Sequence, residues 1–186
     1  NLNALIAARY NAGLGSDPNS VLLVSEDAHS SFVKCIRVMG LDTRNLVRIK
    51  TDNQGRMDIN DLRKSLDKCS IENKKIFAIV ATLGTTVRGA IDPIKEISEI
   101  CKQRNIWLHI DGSIGGIFAI TSIPIEGLNN INQANSITIN PQKIIGITKT
   151  SSLLLVSNMS TLENTFNTGL PYISSKENII NRGEIG

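Results

Sequence analysis

Trp107-Leu-His-Ile-Asp111-Gly-Ser-Ile-Gly-Gly116 has the most informative pattern in this sequence. It has the pattern of an apolar strand that ends on the carboxylate of Asp111. A second stretch, Ser136-Ile-Thr-Ile-Asn-Pro-Gln-Lys143, repeats this pattern, because another apolar strand is followed closely by a lysine. Two opposite charges at the exits of two buried strands indicate one site rather than two unrelated surface groups.

The same alternation of strands and helices extends over most of the chain. Short apolar runs predict strands at residues 21–24, 46–49, 76–81, 107–110, 136–139 and 152–156. Apolar residues at helical spacing predict helices at residues 2–10, 29–39, 58–69 and 94–103, with Asp58 as an N-cap. Strands that alternate with helices predict an α/β domain with a mainly parallel sheet.

The composition argues against several classes of protein. A formal net charge of +3 and an aromatic content of 4% are unlike those of a nucleic-acid-binding surface. No apolar run reaches the roughly 20 residues that a membrane-spanning helix needs. The three cysteines, Cys35, Cys69 and Cys101, form no CxxC pair, so we expect buried thiols and no metal site. Free thiols also suit a protein of the reducing cytoplasm. No nucleic-acid or membrane partner is expected.

Lys143 and Asp111 carry the chemistry that the sequence predicts. The isoleucines around Lys143 predict a desolvated pocket, in which the neutral, nucleophilic form of the amine is favoured. A lysine that forms a Schiff base, with an aspartate that pairs with a pyridinium nitrogen, suits a pyridoxal 5'-phosphate enzyme. The alternatives are a solvated surface lysine, and an aspartate that only caps the turn after its strand.

Other polar residues are expected at the same edge of the sheet. His29 follows the first strand, where its imidazole could stack on a flat ring or only cap a helix. The segment Thr82-Leu-Gly-Thr-Thr86 follows another strand and offers hydroxyl groups. Ser136, Asn140 and Gln142 supply neutral donors near Lys143 that suit phosphate oxygens. No Gly-rich phosphate loop of the GxGxxG or Walker type occurs in the sequence, which weakly favours other ligands over nucleotides.

With these motifs in view, the chain resembles the group II pyridoxal phosphate-dependent amino acid decarboxylases, which include aromatic amino acid, glutamate and cysteine sulfinate decarboxylases. The resemblance runs nearly end to end. It rests on five ordered motifs: Asn1-Leu-Asn-Ala-Leu-Ile-Ala-Ala-Arg9, Ala28-His-Ser-Ser31, Ala81-Thr-Leu-Gly-Thr-Thr86, Trp107-Leu-His-Ile-Asp111 and Asn140-Pro-Gln-Lys143. It implies the fold of the large domain of fold type I (aspartate aminotransferase-like) enzymes, with helices on both faces of the sheet.

The resemblance also implies a role for each matching residue. Lys143 would form the Schiff base, Asp111 would pair with the pyridine nitrogen, and His29 would stack on the ring and assist proton transfer. The remaining cofactor-binding residues would be Thr86, Ser113, Ser136, Asn140 and Gln142. Thr86 would lie near the ring hydroxyl or the substrate carboxylate, and Ser113 would place a hydroxyl against the ring face.

This sequence departs from the family pattern at three positions. Gln142 stands where the family usually has histidine, and Gly112-Ser113 stands where the family has Ala-Ala. Glutamine donates a hydrogen bond but carries no charge, so we expect weaker phosphate binding or protonation. A tyrosine that protonates the substrate carbon from a mobile loop has no clear counterpart.

The expected activity is decarboxylation of an L-amino acid to its amine by a cytoplasmic homodimer. Residues 1–167 would form part of the cofactor-binding large domain, and residues 168–186 a mobile loop or a linker to an absent small domain. These 186 residues alone would then be an inactive part of a longer protein. The alternatives are another enzyme of the same fold, such as an aminotransferase, desulfurase or aldolase, or a noncatalytic paralogue.

Overall fold

A computed structural model describes residues 1–125 and 127–167. Six helices and six strands lie along this part of the chain. The helices are α1 (Leu2–Asn11), α2 (Ser31–Val38), α3 (Ile59–Ile71), α4 (Ile94–Arg104), α5 (Pro141–Ile144) and α6 (Ser160–Phe166). The strands are β1 (Ser20–Ser25), β2 (Leu46–Ile49), β3 (Lys75–Thr82), β4 (Trp107–Asp111), β5 (Ser136–Ile139) and β6 (Leu153–Val156). Short 3-10 helices occupy Thr43–Asn45, Gly115–Ile120 and Leu128–Gln133.

The strands form one sheet in the order β2-β1-β3-β4-β5-β6. The first five strands are parallel to their neighbours, and β6 pairs antiparallel with β5. Parallel neighbours need a crossover connection, and helices make most of these crossovers. The predicted α/β class and mainly parallel sheet are therefore confirmed, with one antiparallel edge strand.

The core lies on both faces of the sheet. Successive residues of β1 point to opposite faces, so Val21 and Leu23 pack in one apolar cluster while Leu22 and Val24 pack in another. Helices α3 and α4 cover the first face, and α1 and α2 cover the second. Burial on both faces explains why the central strands are continuous apolar runs in the sequence.

Local signals set the ends of several helices. The side chain of Asp58 accepts hydrogen bonds from the backbone N–H groups of Asn60 and Asp61, which confirms its predicted role as the N-cap of α3. Helix α2 begins at Ser31 rather than at His29, so the histidine lies before the helix. Helices α5 and α6 were missed by the sequence analysis. Among the described residues, no helix is both long enough and apolar enough to cross a membrane.

Asp92 fixes the carboxyl end of β3, close to the site. Its side chain is 1% exposed, and its two oxygens accept hydrogen bonds of 2.7 Å from the backbone N–H groups of Met57 and Thr82. Burial raises the pKa of the Asp92 carboxyl to about 6. This carboxyl therefore ties a turn between β2 and α3 to the last residue of β3.

The predicted loop or linker at residues 168–186 lies outside the described residues, and that domain assignment stays a prediction.

Candidate active site

The carboxyl ends of β4 and β5 lie side by side at one edge of the sheet. Asp111 ends β4 and is paired in register with Thr138 of β5, which Asn140 follows by two residues. A cavity of about 340 Å³ opens at this edge. Its lining residues are Asn1, Leu2, His29, Ser31, Lys34, Cys35, Val38, Ser113, Thr138, Asn140, Lys143 and Ser152. The cavity thus brings together four of the predicted site residues, namely His29, Ser113, Asn140 and Lys143.

Asp111 is bonded to two residues that line this cavity. Its side chain is 4% exposed, and one oxygen accepts a hydrogen bond of 3.2 Å from the backbone N–H of Ser113. The other oxygen accepts a bond of 3.1 Å from the side-chain amide of Asn1. Both donors line the cavity, although Asp111 itself does not. The bond from Ser113 shows that Asp111 caps the turn after its strand, which was the alternative role considered for it. Each carboxylate oxygen still has a second lone pair that can accept a hydrogen bond from a ligand.

Lys143 lies on the single turn of α5, at the wall of the cavity. The predicted desolvated pocket is wrong for the described residues, because Lys143 is exposed and so are its neighbours Ile144 (45%) and Ile145 (55%). The isoleucines that are covered, Ile137 and Ile139, belong to β5 and face the sheet core instead. One helical turn cannot bury side chains that no other described element covers.

His29 also lines the cavity and is exposed. Its Nδ1 atom accepts a hydrogen bond of 3.2 Å from the backbone N–H of Ser31, at the start of α2. A neutral imidazole that accepts at Nδ1 carries its proton on Nε2. Among residues 1–125 and 127–167, Nε2 has no hydrogen-bond partner, so its N–H group can donate to a ligand in the cavity.

Asn140 and Gln142 flank the lysine differently. The side-chain oxygen of Asn140 accepts a hydrogen bond of 3.3 Å from Ser152, so two neutral polar groups meet at the cavity wall. Gln142 does not line the cavity, and its side-chain oxygen accepts a bond of 3.4 Å from Ser151. The structure thus brings Asn140 to the site and leaves Gln142 beside it.

Two other predicted residues lie away from the cavity. Ser136 stands at the amino end of β5, the opposite end from Lys143, and is 1% exposed. Thr86 is exposed in the turn after β3, whereas the adjacent Thr85 is buried and accepts a hydrogen bond from the backbone N–H of Ala90. Ser136 was expected near Lys143 because the two are close in sequence, but the length of β5 lies between them.

Glycines allow the segment after Asp111 to pack closely against the sheet. A Cβ atom at Gly115 would lie 2.5 Å from the carbonyl oxygen of Leu83, and one at Gly116 would lie 2.8 Å from Cγ1 of Ile139. Real Cβ atoms essentially never approach so closely. The Gly-Gly pair therefore holds the exits of β3, β4 and β5 together as one surface.

The sequence analysis missed three residues of the site: His109, Asn1 and Lys34. His109 is fully buried, and its ring nitrogens lie 2.8 Å from Oγ of Ser136 and 2.9 Å from Oδ1 of Asn1. Burial lowers the pKa of His109 well below its usual range, so the ring is neutral. The signal was its position two residues before Asp111, which places both side chains on one face of the strand. Lys34 adds a second ammonium group to the cavity wall.

The residues present fit pyridoxal phosphate. Asp111 supplies a buried carboxylate for a protonated pyridine nitrogen, and Lys143 supplies an amine for the aldehyde. Lys34, Asn140 and the nearby hydroxyl groups provide donors for an anionic group. An amine and an imidazole at the cavity wall, with a carboxylate held by two residues of that wall, are groups that suit this cofactor.

Comparisons with known proteins identify the family of the chain. The family model described as the pyridoxal-dependent decarboxylase conserved domain matches residues 14–182. Acidic amino acid decarboxylase GADL1 of Mus musculus is 35% identical over 169 residues, which are 87% of this chain and 31% of that protein. Aromatic-L-amino-acid decarboxylase of Bacillus atrophaeus is 33% identical over 191 residues, which are 100% of this chain and 40% of that protein.

Solved structures give the same result. Mouse CSAD superposes with a TM-score of 0.83 at 30% identity, over 89% of this chain and 36% of that one. Catharanthus roseus tryptophan decarboxylase, solved in complex with L-tryptophan, has a TM-score of 0.83 at 28% identity, over 90% of this chain and 37% of that one.

The family description names pyridoxal, which agrees with the predicted cofactor, and the neighbours have the predicted fold. This chain spans 31% to 40% of the length of these two curated relatives. Since the family model covers most of the 186 residues, the chain belongs to the family of pyridoxal-dependent decarboxylases.

Proposed function

We propose that the natural protein is a pyridoxal phosphate-dependent decarboxylase that converts an L-amino acid to its amine and carbon dioxide. The observation that carries the proposal is the single cavity that joins Lys143, His29 and the turn held by Asp111. Both curated relatives reported above bear the names of amino acid decarboxylases. One name specifies acidic amino acids and the other aromatic L-amino acids. The substrate class proposed here is therefore an L-amino acid.

Each residue has a role that follows from its chemistry. Bound pyridoxal phosphate supplies an electron sink for the electron pair that remains on the substrate Cα when the carboxylate departs. Asp111 holds a negative charge at a fixed strand end, where it favours a protonated pyridine nitrogen. Lys143 supplies the amine that attaches the cofactor. Asn140 and Lys34 bind anionic oxygens from the cavity wall.

His29 is the proposed proton carrier at the substrate Cα. Its Nδ1 atom is held by the backbone N–H of Ser31, so the ring orientation is fixed while Nε2 stays available. Because the ring is exposed, it can take up a second proton from solvent at Nδ1, which releases the bond from Ser31. The resulting imidazolium donates a proton from Nε2 to the substrate Cα and returns to the neutral form. The flat face of the same ring would pack on the cofactor. Ser113 is the other member of the proposed cofactor-binding set that lines the cavity. Thr86, Ser136 and Gln142 were predicted for the same set from the sequence, and they lie outside the cavity.

We also propose that the protein works as a homodimer in the cytoplasm. The three cysteines are unpaired and buried, as expected of a protein that folds in a reducing compartment. The exposed side of the cavity at Lys143 leaves room for a covering partner subunit. Light scattering of the natural gene product should give twice the mass of one chain, and a monomeric mass would contradict the dimer.

The activity is tested with the natural gene product at full length, loaded with pyridoxal phosphate. A panel of L-amino acids should yield carbon dioxide and amine in equal amounts for at least one substrate. Lys143→Ala should lower turnover at least about 1000-fold, since the attaching amine is lost. Lys149→Ala removes another exposed lysine from the same region and should leave turnover unchanged.

The panel also separates the alternatives. A keto acid formed without carbon dioxide would identify an aminotransferase and refute the decarboxylase. A noncatalytic paralogue is favoured by one observation, the exposure of Lys143 and its isoleucine neighbours. Failure of every substrate, together with no cofactor absorbance that depends on Lys143, would favour that alternative.

A further inference from the structure

A continuous chain of hydrogen bonds runs through the sheet to Asp111. The indole Nε1 of Trp107 lies 2.8 Å from Oγ of Ser136, which lies 2.8 Å from Nδ1 of His109. The opposite ring nitrogen of His109 lies 2.9 Å from Oδ1 of Asn1. The amide nitrogen of Asn1 then lies 3.1 Å from Oδ2 of Asp111.

The two ends of this chain and the neutral imidazole between them fix the direction of every hydrogen bond. An indole N–H can only donate, and a carboxylate can only accept. The Asn1 amide therefore donates to Asp111, which leaves Oδ1 of Asn1 as an acceptor for an Nε2–H group of His109. Because the buried ring is neutral, its Nδ1 atom accepts from the Ser136 hydroxyl, whose oxygen accepts from Trp107. All four bonds thus point toward the carboxylate.

The chain supports the charge of Asp111 without neutralising it. His109 has 0% exposure and is neutral, and none of the ion pairs found among the described residues involves Asp111. A lysine or arginine in place of Asn1 would fix the carboxylate equally well but would offset its charge. A neutral amide leaves the full negative charge for a cationic ligand group. Aligned donors polarise one another, which strengthens the last bond of the series.

We propose that Ser136, His109 and Asn1 are positioning residues that hold the Asp111 carboxylate oriented toward the pyridine nitrogen of the cofactor. This proposal rests on the proposed function. The competing explanation is that the same bonds only tie β4 to β5, since His109 and Ser136 are paired in register. The two explanations differ in what happens to the cofactor when the fold stays intact.

Ser136→Ala interrupts the chain while keeping the side chain small. The matched control is Ser98→Ala, which removes another buried hydroxyl, one that donates to the carbonyl of Lys95 within α4. The measurement is the dissociation constant of pyridoxal phosphate for the natural gene product at full length. Ser136→Ala should weaken binding about 5-fold, and Ser98→Ala should leave it within 2-fold of wild type.

Asn1→Asp tests the last bond with almost no change of shape. The new carboxylate can still accept from His109, but it cannot donate to Asp111 and places a like charge beside it. Cofactor affinity should fall roughly 100-fold. Visible circular dichroism of the bound cofactor should change in both Ser136→Ala and Asn1→Asp, because the ring loses its fixed partner. A purely structural role would lower the urea midpoint and leave the affinity and spectrum of the folded protein unchanged.

The tautomer of His109 provides a readout without cofactor. Histidine-selective ¹⁵N NMR is recorded on the natural gene product at full length, with the His109 signal identified by its loss in His109→Gln. We expect the Nε2–H tautomer in wild type. The Nδ1–H tautomer would overturn the proposal, and so would cofactor affinity that Ser136→Ala and Asn1→Asp leave unchanged. Failure of the wild-type protein to bind pyridoxal phosphate would instead refute the proposed function, and the positioning role with it.

Discussion

The stability of the fold should depend on pH through the buried carboxyl of Asp92. Burial raises the pKa of this carboxyl from 3.8 to about 6, against the opposing effect of its two backbone hydrogen bonds. The folded state therefore holds a proton over a pH range in which the unfolded state has released it. The stability that Asp92 contributes is fully present below pH 3.8 and is lost as the pH rises through about 6. A change from 3.8 to about 6 corresponds to about 3 kcal/mol of unfolding free energy.

Asp92→Asn isolates this effect, because an amide cannot ionise and has nearly the shape of the protonated carboxyl. Urea unfolding of both proteins between pH 4 and pH 7.5 gives their free energies of unfolding. The wild-type value minus the variant value should fall by about 2 kcal/mol from pH 4 to pH 7, because at pH 4 part of the full effect is already lost. The control is Asp42→Asn, whose exposed carboxyl has a pKa lowered by its hydrogen bonds to Arg44. For that variant the difference should stay constant above pH 4.

A difference that stays constant for Asp92→Asn, or that rises with pH, would refute the reasoning. It would mean that the two backbone N–H groups stabilise the ionised carboxyl by more than burial destabilises it. The sign of the slope thus decides which of two opposing physical effects is larger at this site.

Three further predictions concern the packing of the fold. Gly115→Ala should lower the free energy of urea unfolding by about 1–3 kcal/mol, because its Cβ would contact the carbonyl oxygen of Leu83. Gly15→Ala, with nothing within 4 Å, should change it little, and equal effects would contradict the close approach. Asp58→Ala should cost about 1 kcal/mol by the same assay, since the N-cap of α3 is lost, and no loss would argue against the cap. Burial raises the pKa of the Cys101 thiol to about 12, so thiol reagents at pH 8 should label Cys101 only after the chain unfolds. Fast labelling of the folded chain would refute the burial of this thiol.

The sequence predicted the sheet well because its strands are buried on both faces. Residues 46–49 and 136–139 were predicted with the bounds that the structure gives to β2 and β5. Asp58 was recognised as a cap from local chemistry alone. Helix α5 was missed because a single turn around Pro141 has no apolar repeat, and α6 was missed because its pattern is too short. Periodicity identifies elements that bury a face, and these two bury little.

The candidate site was predicted where the residues lie at strand ends and missed where partners are distant in sequence. Lys143, His29 and Asp111 could be found because topology places the ends of parallel strands together. The contact between His109 and Asn1 joins residues 108 positions apart, and no local pattern encodes it. The solvent exposure of Lys143 could not be predicted from the sequence either. The flanking isoleucines do not indicate which side chains another element of the fold will cover.

The alternation along β4 has a consequence for how the site forms. Leu108 and Ile110 face the aliphatic core, while Trp107, His109 and Asp111 face the other side of the sheet. If β4 paired with β3 one residue out of register, His109 and Asp111 would be forced among aliphatic side chains, and the two aliphatic residues would lose their burial. Correct strand alignment and assembly of the ligand-facing surface are thus a single event. The fraction of molecules that bind the cofactor therefore equals the fraction whose central strands are correctly aligned.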